Sequence, residues 1–329
     1  MCADARRRID DVGIRFRDGH DEGCPAWQAC SVRRAVLIVN PYSTHVTGER
    51  VAAVERALRE RVDLRTVSTE RAGHATELAA EAATAADAIL VFSGDGTYNE
   101  ALNGADGAVP FGFLPGGGTS VLPRALGLPR DPVDAARAIG AALADGRTRR
   151  IGLGVVNGRR FCFSAGIGFD AEAVRRLNEL GREPGGARPG DAAFAKTFAR
   201  MVVERRARFD PQLEIAGAGR AAFLLVANCD PYSFAGPLPL HVAPGARFEL
   251  GLDAVAPVRV RPRDVPRLLA YLLRGRGKLD ARRVLTVHDV DRLEVRCDRP
   301  LPLQADGEDL GDVETAVFEA ERDAVSVLV

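Results

Sequence analysis

Lysine is nearly missing from this chain of 329 residues. Lys196 and Lys278 are the only two, and arginine carries almost all the positive charge. Net charge is missing as well, since 45 basic residues balance 45 acidic ones. That balance argues against a nucleic-acid binder driven by overall charge. No apolar run reaches the roughly 18 residues that a membrane span needs. No secretory leader is visible, because Arg6-Arg7-Arg8 is followed by polar residues and not by an apolar stretch. Cysteine is sparse and badly spaced for metal: Cys2, Cys24, Cys30, Cys162, Cys229 and Cys297 contain no C-x-x-C pair. Zinc ligation and a disulfide framework are therefore disfavoured, and reduced thiols in a cytosolic protein are expected. Cys24 and Cys30 have a spacing that allows pairing, with nothing further to support it. The chain also has no G-x-x-x-x-G-K-[ST] sequence, which excludes a Walker P-loop, and no G-x-G-x-x-G after a strand.

What is present is a globular composition, 46% hydrophobic, over a length that suggests two domains. Residues 1–33 are polar and aperiodic and are expected to be a mobile extension. From residue 34 to about 150, short apolar runs alternate with alanine-rich helical stretches. Strands are expected at Ala35 to Val39, Val62 to Val67, Ala88 to Phe92 and Phe111 to Leu114. Helices are expected at Gly48 to Arg61, Gly73 to Ala86, from Thr97, and at Asp131 to Ala144. Such alternation predicts a doubly wound, mostly parallel sheet covered on both faces. Ligands of such sheets bind beyond the carboxyl ends of the strands. Residues 151–312 read instead as an antiparallel, β-sandwich-like domain, with helices at Asp191 to Arg206 and Pro262 to Arg274 and a flexible loop over Gly181 to Gly190.

Three loops at strand ends carry the chemistry. In the most informative, the apolar run Ala88 to Phe92 ends in Ser93-Gly94-Asp95-Gly96-Thr97-Tyr98-Asn99-Glu100. Glycines between a strand and a helix start let backbone N–H groups approach a phosphate closely. A bare carboxylate repels phosphates unless it holds a cation or accepts a proton, so Asp95 suggests phosphate plus metal, or phosphate plus a base. Asn40-Pro41-Tyr42-Ser43-Thr44 follows the first strand and is a turn before it is anything else. Pro115-Gly116-Gly117-Gly118-Thr119-Ser120 follows a later strand; a phosphate cradle and a plain flexible turn fit it equally. Arg124 is the nearest arginine that could meet phosphate charge.

Together with Phe163-Ser-Ala-Gly-Ile-Gly-Phe-Asp-Ala171 and Leu303-Gln-Ala-Asp-Gly-Glu308, these segments resemble the diacylglycerol kinase catalytic domain family, which includes bacterial lipid kinases and sphingosine kinases. The likeness runs in order from about Ala35 to Val329. It implies an ATP-dependent kinase of a lipid hydroxyl, with its active cleft between two domains (34–150 for nucleotide, 151–312 for lipid). A closing segment, 313–329, is expected to return to the first domain. By the same resemblance, Asn40, Pro41, Tyr42, Ser43, Thr44, Thr69, Gly94, Asp95, Gly96, Thr97, Tyr98, Asn99, Glu100 and Thr119 match nucleotide-binding positions. Glu308 matches the general base and Asp170 a contact to the lipid head. Asp95 would act through Mg²⁺, although the reverse assignment of base and metal ligand stays open.

Ser93 and Ser120 depart from the usual glycine and asparagine. Leu250 stands where some bacterial members carry an acid, so no structural Mg²⁺ is expected in Arg247 to Asp253. The leading acceptor is diacylglycerol, giving phosphatidic acid, then a sphingoid base or another lipid alcohol. NAD kinase and a non-catalytic lipid sensor are the competing readings. The protein is expected to be cytoplasmic, peripheral to the membrane, with a homodimer left open. Phe194, Phe198, Met201 and Val202 suit an acyl channel or ordinary core. Arg200, Arg205, Arg206 and Arg208 suit anionic lipid or a solvated face.

Overall fold

The computed structural model describes residues 33–180, 191–276 and 282–329. The Gly181 to Gly190 loop, Cys2, Cys24, Cys30 and all but the last residue of the expected extension lie outside these residues.

The first half follows the order β1 (Arg34–Val39), α1 (Gly48–Arg59), β2 (Asp63–Ser68), α2 (His74–Ala85), β3 (Ala88–Ser93), α3 (Asp95–Gly104), β4 (Phe111–Pro115), α4 (Val121–Ala125) and α5 (Pro132–Ala144). The four strands are parallel, in the order β4-β3-β1-β2. Their unbroken apolar runs follow from burial on both faces: every residue of β3 is buried. Local signals set the helix ends. Thr47 Oγ1 accepts from Arg50 N, and Asp131 accepts from Val133 N and Asp134 N with Pro132 in the first turn. Ala75, Leu78, Ala79 and Ala82 form the buried stripe of α2. Where α2 meets α3, a Cβ at Gly104 would lie 2.1 Å from the Thr76 carbonyl oxygen, so glycine permits the approach.

The second half contains β5 (Arg149–Val156), β6 (Arg159–Phe161), β7 (Ser164–Ile167), α6 (Phe169–Glu179), α7 (Asp191–Glu204), β8 (Leu213–Ile215), β9 (Gly219–Ala221), β10 (Leu224–Ala227), β11 (Ser233–Ala235), β12 (Leu238–Leu240), β13 (Leu252–Pro257), α8 (Val265–Arg274), β14 (Val284–Val290), β15 (Arg292–Ala305) and β16 (Glu308–Val327). Its pairings are antiparallel. Inward side chains such as Phe161, Ile167, Leu213, Leu224, Val295 and Phe318 form a second core.

The long strand β16 joins the halves. It runs antiparallel to β15 and β5, then Val327 sits beside Phe111 of β4, and Leu328 N donates to the Phe111 carbonyl at 2.8 Å. Val325, Val327 and Leu328 belong to the core of the first half. Hydrogen bonding thus links fourteen strands into one sheet.

Several boundaries differ from expectation. The run Arg160 to Ser164 is broken at Cys162 and Phe163, because their N–H groups turn to the carboxylate of Asp306. Helix α6 opens within the Phe163 to Ala171 segment, where no helix was expected. No helix among the described residues is long and apolar enough to cross a membrane.

Candidate active site

The chain reverses direction across the parallel sheet between β1 and β3. After β1 it crosses to β2 on one side; β3 and β4 lie on the other. The carboxyl ends of β1 and β3 therefore flank a crevice at a topological switch point. Asn40 N donates to the Phe92 carbonyl (3.3 Å), and Asn40 Nδ2 donates to Thr97 Oγ1 (3.0 Å). Ser43 Oγ donates to the Gly116 carbonyl at 2.9 Å, and Gly116 N donates to the Ser93 carbonyl at 2.7 Å. Thr69 N donates to the Val39 carbonyl, which holds the end of β2 beside that of β1. The backbones at 94 and 117 touch: a Cβ on Gly117 would stand 2.6 Å from Gly94 Cα. Glycine at both positions is what lets the two loops close on each other. Beside them runs an open groove of about 350 Å³, lined by residues that include Val39, Pro41, Val51, Ala52 and Ser68.

The expected nucleotide residues divide by exposure. Pro41, Tyr42 and Thr44 are exposed; Asn40, Ser43, Gly94, Asp95, Gly96, Glu100 and Thr119 are half-buried. Thr69, Thr97 and Asn99 are buried. Tyr98, read from sequence as a ligand contact, is a correction: its side chain is fully enclosed, and its hydroxyl lies 2.6 Å from the carbonyls of both Ser93 and Leu114. It ties together the ends of β3 and β4 from below. Arg124 is a second correction. Its guanidinium lies 3.4 Å from the centre of the Phe234 ring and donates to the Gly236 carbonyl, so it engages the β11–β12 ribbon.

Helix α3 begins at Asp95, earlier than the expected Thr97, so this carboxylate sits in the first turn. It accepts from Val121 N (3.0 Å) and Leu122 N (3.1 Å), satisfying the start of α4. Burial, opposed by these two bonds and reinforced by nearby Asp306, raises the Asp95 pKa to about 6. The folded protein therefore binds more protons than the unfolded chain between the ordinary carboxylate pKa and pH 6. Ionising Asp95 across that window costs stability, up to about 3 kcal/mol. Urea unfolding of wild type and Asp95→Asn at pH 4.5 and pH 7 will read this directly. The stability of the variant relative to wild type rises with pH; a difference that stays constant rules the linkage out.

One helical turn beyond Asp95, Asn99 joins the two halves. Its Nδ2 donates to Asp306 Oδ2 (2.8 Å) and the Arg160 carbonyl (2.9 Å). Its Oδ1 accepts from Arg159 Nη2 (3.1 Å), and the same nitrogen donates to Glu308 Oε2 (2.9 Å). Thus Glu308 is linked across the junction, through Arg159 and Asn99, to the helix that Asp95 opens, 213 positions away in sequence. The bare Nε of Arg159 is buried with no hydrogen-bond partner. Glu308 opens β16 directly after the two-residue turn Asp306-Gly307, whose φ values of 49° and 77° suit a tight hairpin.

Asp306 is buried and accepts from Cys162 N, Phe163 N and Ser164 N besides Asn99. Burial raises its pKa, with the four bonds acting in the opposite direction. Neither Asp306 nor Arg159 was singled out in the sequence. Asp306 was visible only as a neighbour of Glu308, and nothing in the sequence pointed to Arg159.

Asp170 lies in the first turn of α6, buried. Its Oδ2 accepts from Tyr232 Oη (2.7 Å) and Gln304 Nε2 (2.6 Å), and burial raises its pKa. The neighbouring Phe169 packs with Phe198, Met201, Phe209 and Phe223 in an aromatic core; Phe194 lies outside the described side chains. Arg200 pairs with Glu204 and Arg205 with Glu172, so these two arginines are engaged within the protein. Around Asp253 no cluster of three metal-ligating side chains forms, nor elsewhere among the described residues. The carboxylate of Asp253 is taken up by His288 and Asp289 N.

Comparison with known proteins matches this architecture. The diacylglycerol kinase catalytic domain matches residues 34–156. The diacylglycerol kinase of Bacillus subtilis (strain 168) is 36% identical over 155 residues, covering 45% of this chain and 48% of that protein. The chain thus aligns with about half the length of this curated relative. A diacylglycerol kinase structure from Bacillus anthracis str. Sterne superposes with a TM-score of 0.67 at 18% identity, covering 91% of this chain and 97% of the other. An ATP-bound NAD kinase structure from Archaeoglobus fulgidus gives a TM-score of 0.51 at 13% identity, covering 90% and 93%. The fold is shared across both, while the sequence match singles out one of them. Residues 34–156, which carry the glycine-flanked Asp95 loop, thus match the diacylglycerol kinase catalytic domain, and beyond them the likeness is one of fold.

Proposed function

We propose that this protein is an ATP-dependent lipid kinase that transfers the γ-phosphoryl group to a lipid hydroxyl, diacylglycerol first, yielding phosphatidic acid. The observation that carries this reading is the link Asn99, Arg159, Glu308 across the junction of the two halves, with Asp95 one turn before Asn99 on the same helix. It supports residues 34–150 as the nucleotide domain and 151–312 as the lipid domain, with 313–329 closing onto the first.

In this reading the triphosphate lies over the Gly94–Thr97 and Gly116–Thr119 loops, with Asn40, Ser43 and Thr69 at the base and ribose end. The hydroxyl oxygen bonds to the γ-phosphorus as the bond to the β–γ bridging oxygen breaks. The hydroxyl proton passes to Glu308, and ADP leaves. Arg159, donating to Glu308 Oε2 at 2.9 Å, orients that carboxylate. Asp95 is the carboxylate of the glycine loops and would be the residue to hold Mg²⁺. Mg²⁺ is commonly held by one or two carboxylates plus substrate phosphates. When bound, the ion would neutralise charge on the β- and γ-phosphates. Asp170 orients the lipid head through Tyr232 and Gln304.

Labelled ATP offered with diacylglycerol, a sphingoid base and NAD in parallel, in mixed micelles, tests the reading. Label in the diacylglycerol product supports it. Label in NAD alone favours NAD kinase, and lipid binding without any product favours a sensor.

Arg159 yields a separate expectation. The Arg159 guanidinium, which reaches Glu308 and Asn99 through Nη2, brings a positive charge beside the proposed reacting centre and suits the γ-phosphate. Arg159→Ala therefore loses about tenfold in affinity for a non-hydrolysable ATP analogue and little for ADP, measured by calorimetry. Equal losses for both nucleotides would show that Arg159 does not sense the γ-phosphate.

A further inference from the structure

Helix α8 carries more apolar surface than the fold covers. Val265 and Leu268 pack against the aromatic core around Phe169 and Phe198, and Leu272 packs against the neighbouring cluster at Tyr232. Leu269 and Leu273 each follow an inward leucine by one position, about 100° further round the helix. They are 52% and 44% exposed. Being one turn apart, they form a single ridge. Beside them runs β12, tied to the helix where His241 N donates to the Leu272 carbonyl at 2.7 Å, and its Leu238 is 56% exposed. The rim of this ridge is cationic. Arg263, Arg274 and Arg276 are exposed, and residues 265–276 include no acid. Asp264, just before the helix, is already paired with Arg283.

We infer that the outer face of α8, with Leu238, seats on an anionic lipid bilayer. The leucines enter the boundary between headgroups and acyl chains while the arginines meet lipid phosphates, the arrangement of an interfacial amphipathic helix. Two observations favour this occupant. A second copy related by a two-fold axis would bring arginine rims together, whereas an anionic surface neutralises them. The ridge is also continuous with the aromatic core: Leu268, one residue before Leu269, packs on the cluster that contains Phe169, the neighbour of Asp170. The inference deepens the lipid-kinase reading and rests on it for the identity of the substrate, but docking is measurable without turnover.

The test is co-sedimentation of the full chain with phosphatidylcholine vesicles, with and without phosphatidylglycerol. Wild type should pellet with the anionic vesicles, less so as salt rises. The Leu269→Glu/Leu273→Glu double variant should partition at least about tenfold more weakly. Its thermal unfolding should match wild type, because both positions are exposed. Equal partitioning of the two proteins overturns the inference. So does a wild-type dimer that ignores vesicles and falls to monomer in the variant, which would make this face a contact between copies. Phosphorylation of a dispersed short-chain diacylglycerol separates the readings: both proteins should act on it equally. No product from either would remove the kinase reading while leaving the vesicle result to decide docking.

Discussion

Glu308→Gln binds ATP as wild type does and loses about 10²- to 10⁴-fold in turnover, the usual worth of a positioned proton acceptor. Glu308 stands at the first position of β16, aimed by the turn before it and held at 2.9 Å by Arg159, itself anchored on Asn99 of α3. Glutamine keeps the shape and a hydrogen-bond acceptor for Arg159 but cannot take up the hydroxyl proton. The variant should therefore separate binding from chemistry: KM for ATP holds while kcat falls. Labelled-ATP turnover on diacylglycerol micelles measures both. If Asp95 were the base and Glu308 only a bridge, Glu308→Gln would lose less than tenfold, and Asp95→Asn would carry the large effect. The pair of variants thus settles the assignment that spacing left open.

Asp306→Ala lowers stability by about 3–5 kcal/mol, the cost of leaving several buried hydrogen-bond donors unmet. The substitution strands three backbone N–H groups, at Cys162, Phe163 and Ser164, together with the Asn99 amide. Each buried donor left unmet costs about 1–3 kcal/mol, so the sum exceeds what partial relaxation or entering water returns. In a chain this size the melting temperature should fall by around 10 °C. Asp306→Asn should fall less, because one oxygen remains for two of the donors. Thermal unfolding measures both, and an unchanged midpoint in Asp306→Ala would show that water replaces the carboxylate at no cost. Glu308→Gln should leave the midpoint nearly unmoved, so two acids two positions apart are told apart by assay. One governs turnover, the other assembly of the halves.

Much of the first half was legible because each signal there is local. The apolar runs at Ala35 to Val39 and Ala88 to Phe92 are long enough to be buried strands, and Asp131-Pro132 caps a helix by its own chemistry. Helix α6 was missed because its opening Phe169-Asp170 was read only as the end of the Phe163 to Ala171 segment. Its buried Ala173 and Val174 continue a helical pattern that Ala171 had already begun. The length of β16 was missed for another reason. Its alternation is interrupted by bulges, and much of its outer face is charged, so no short window reads as strand. Arg124 and Arg159 show the same limit: nearness in sequence to a glycine loop favoured Arg124, whereas a hairpin from the other half delivered Arg159.

By itself the amino-acid order determined which loops could approach a phosphate, since a glycine's lack of Cβ acts where the residue stands, and it determined the parallel class of the first sheet. Tertiary structure decided which acid is buried and which faces the junction. Asp306 and Glu308 differ by two positions across a turn with positive φ, and only the strands packed around that turn give one carboxylate four donors and the other an arginine. Burial and charge partners belong to what surrounds a residue in space, and those surroundings come from segments more than a hundred positions away.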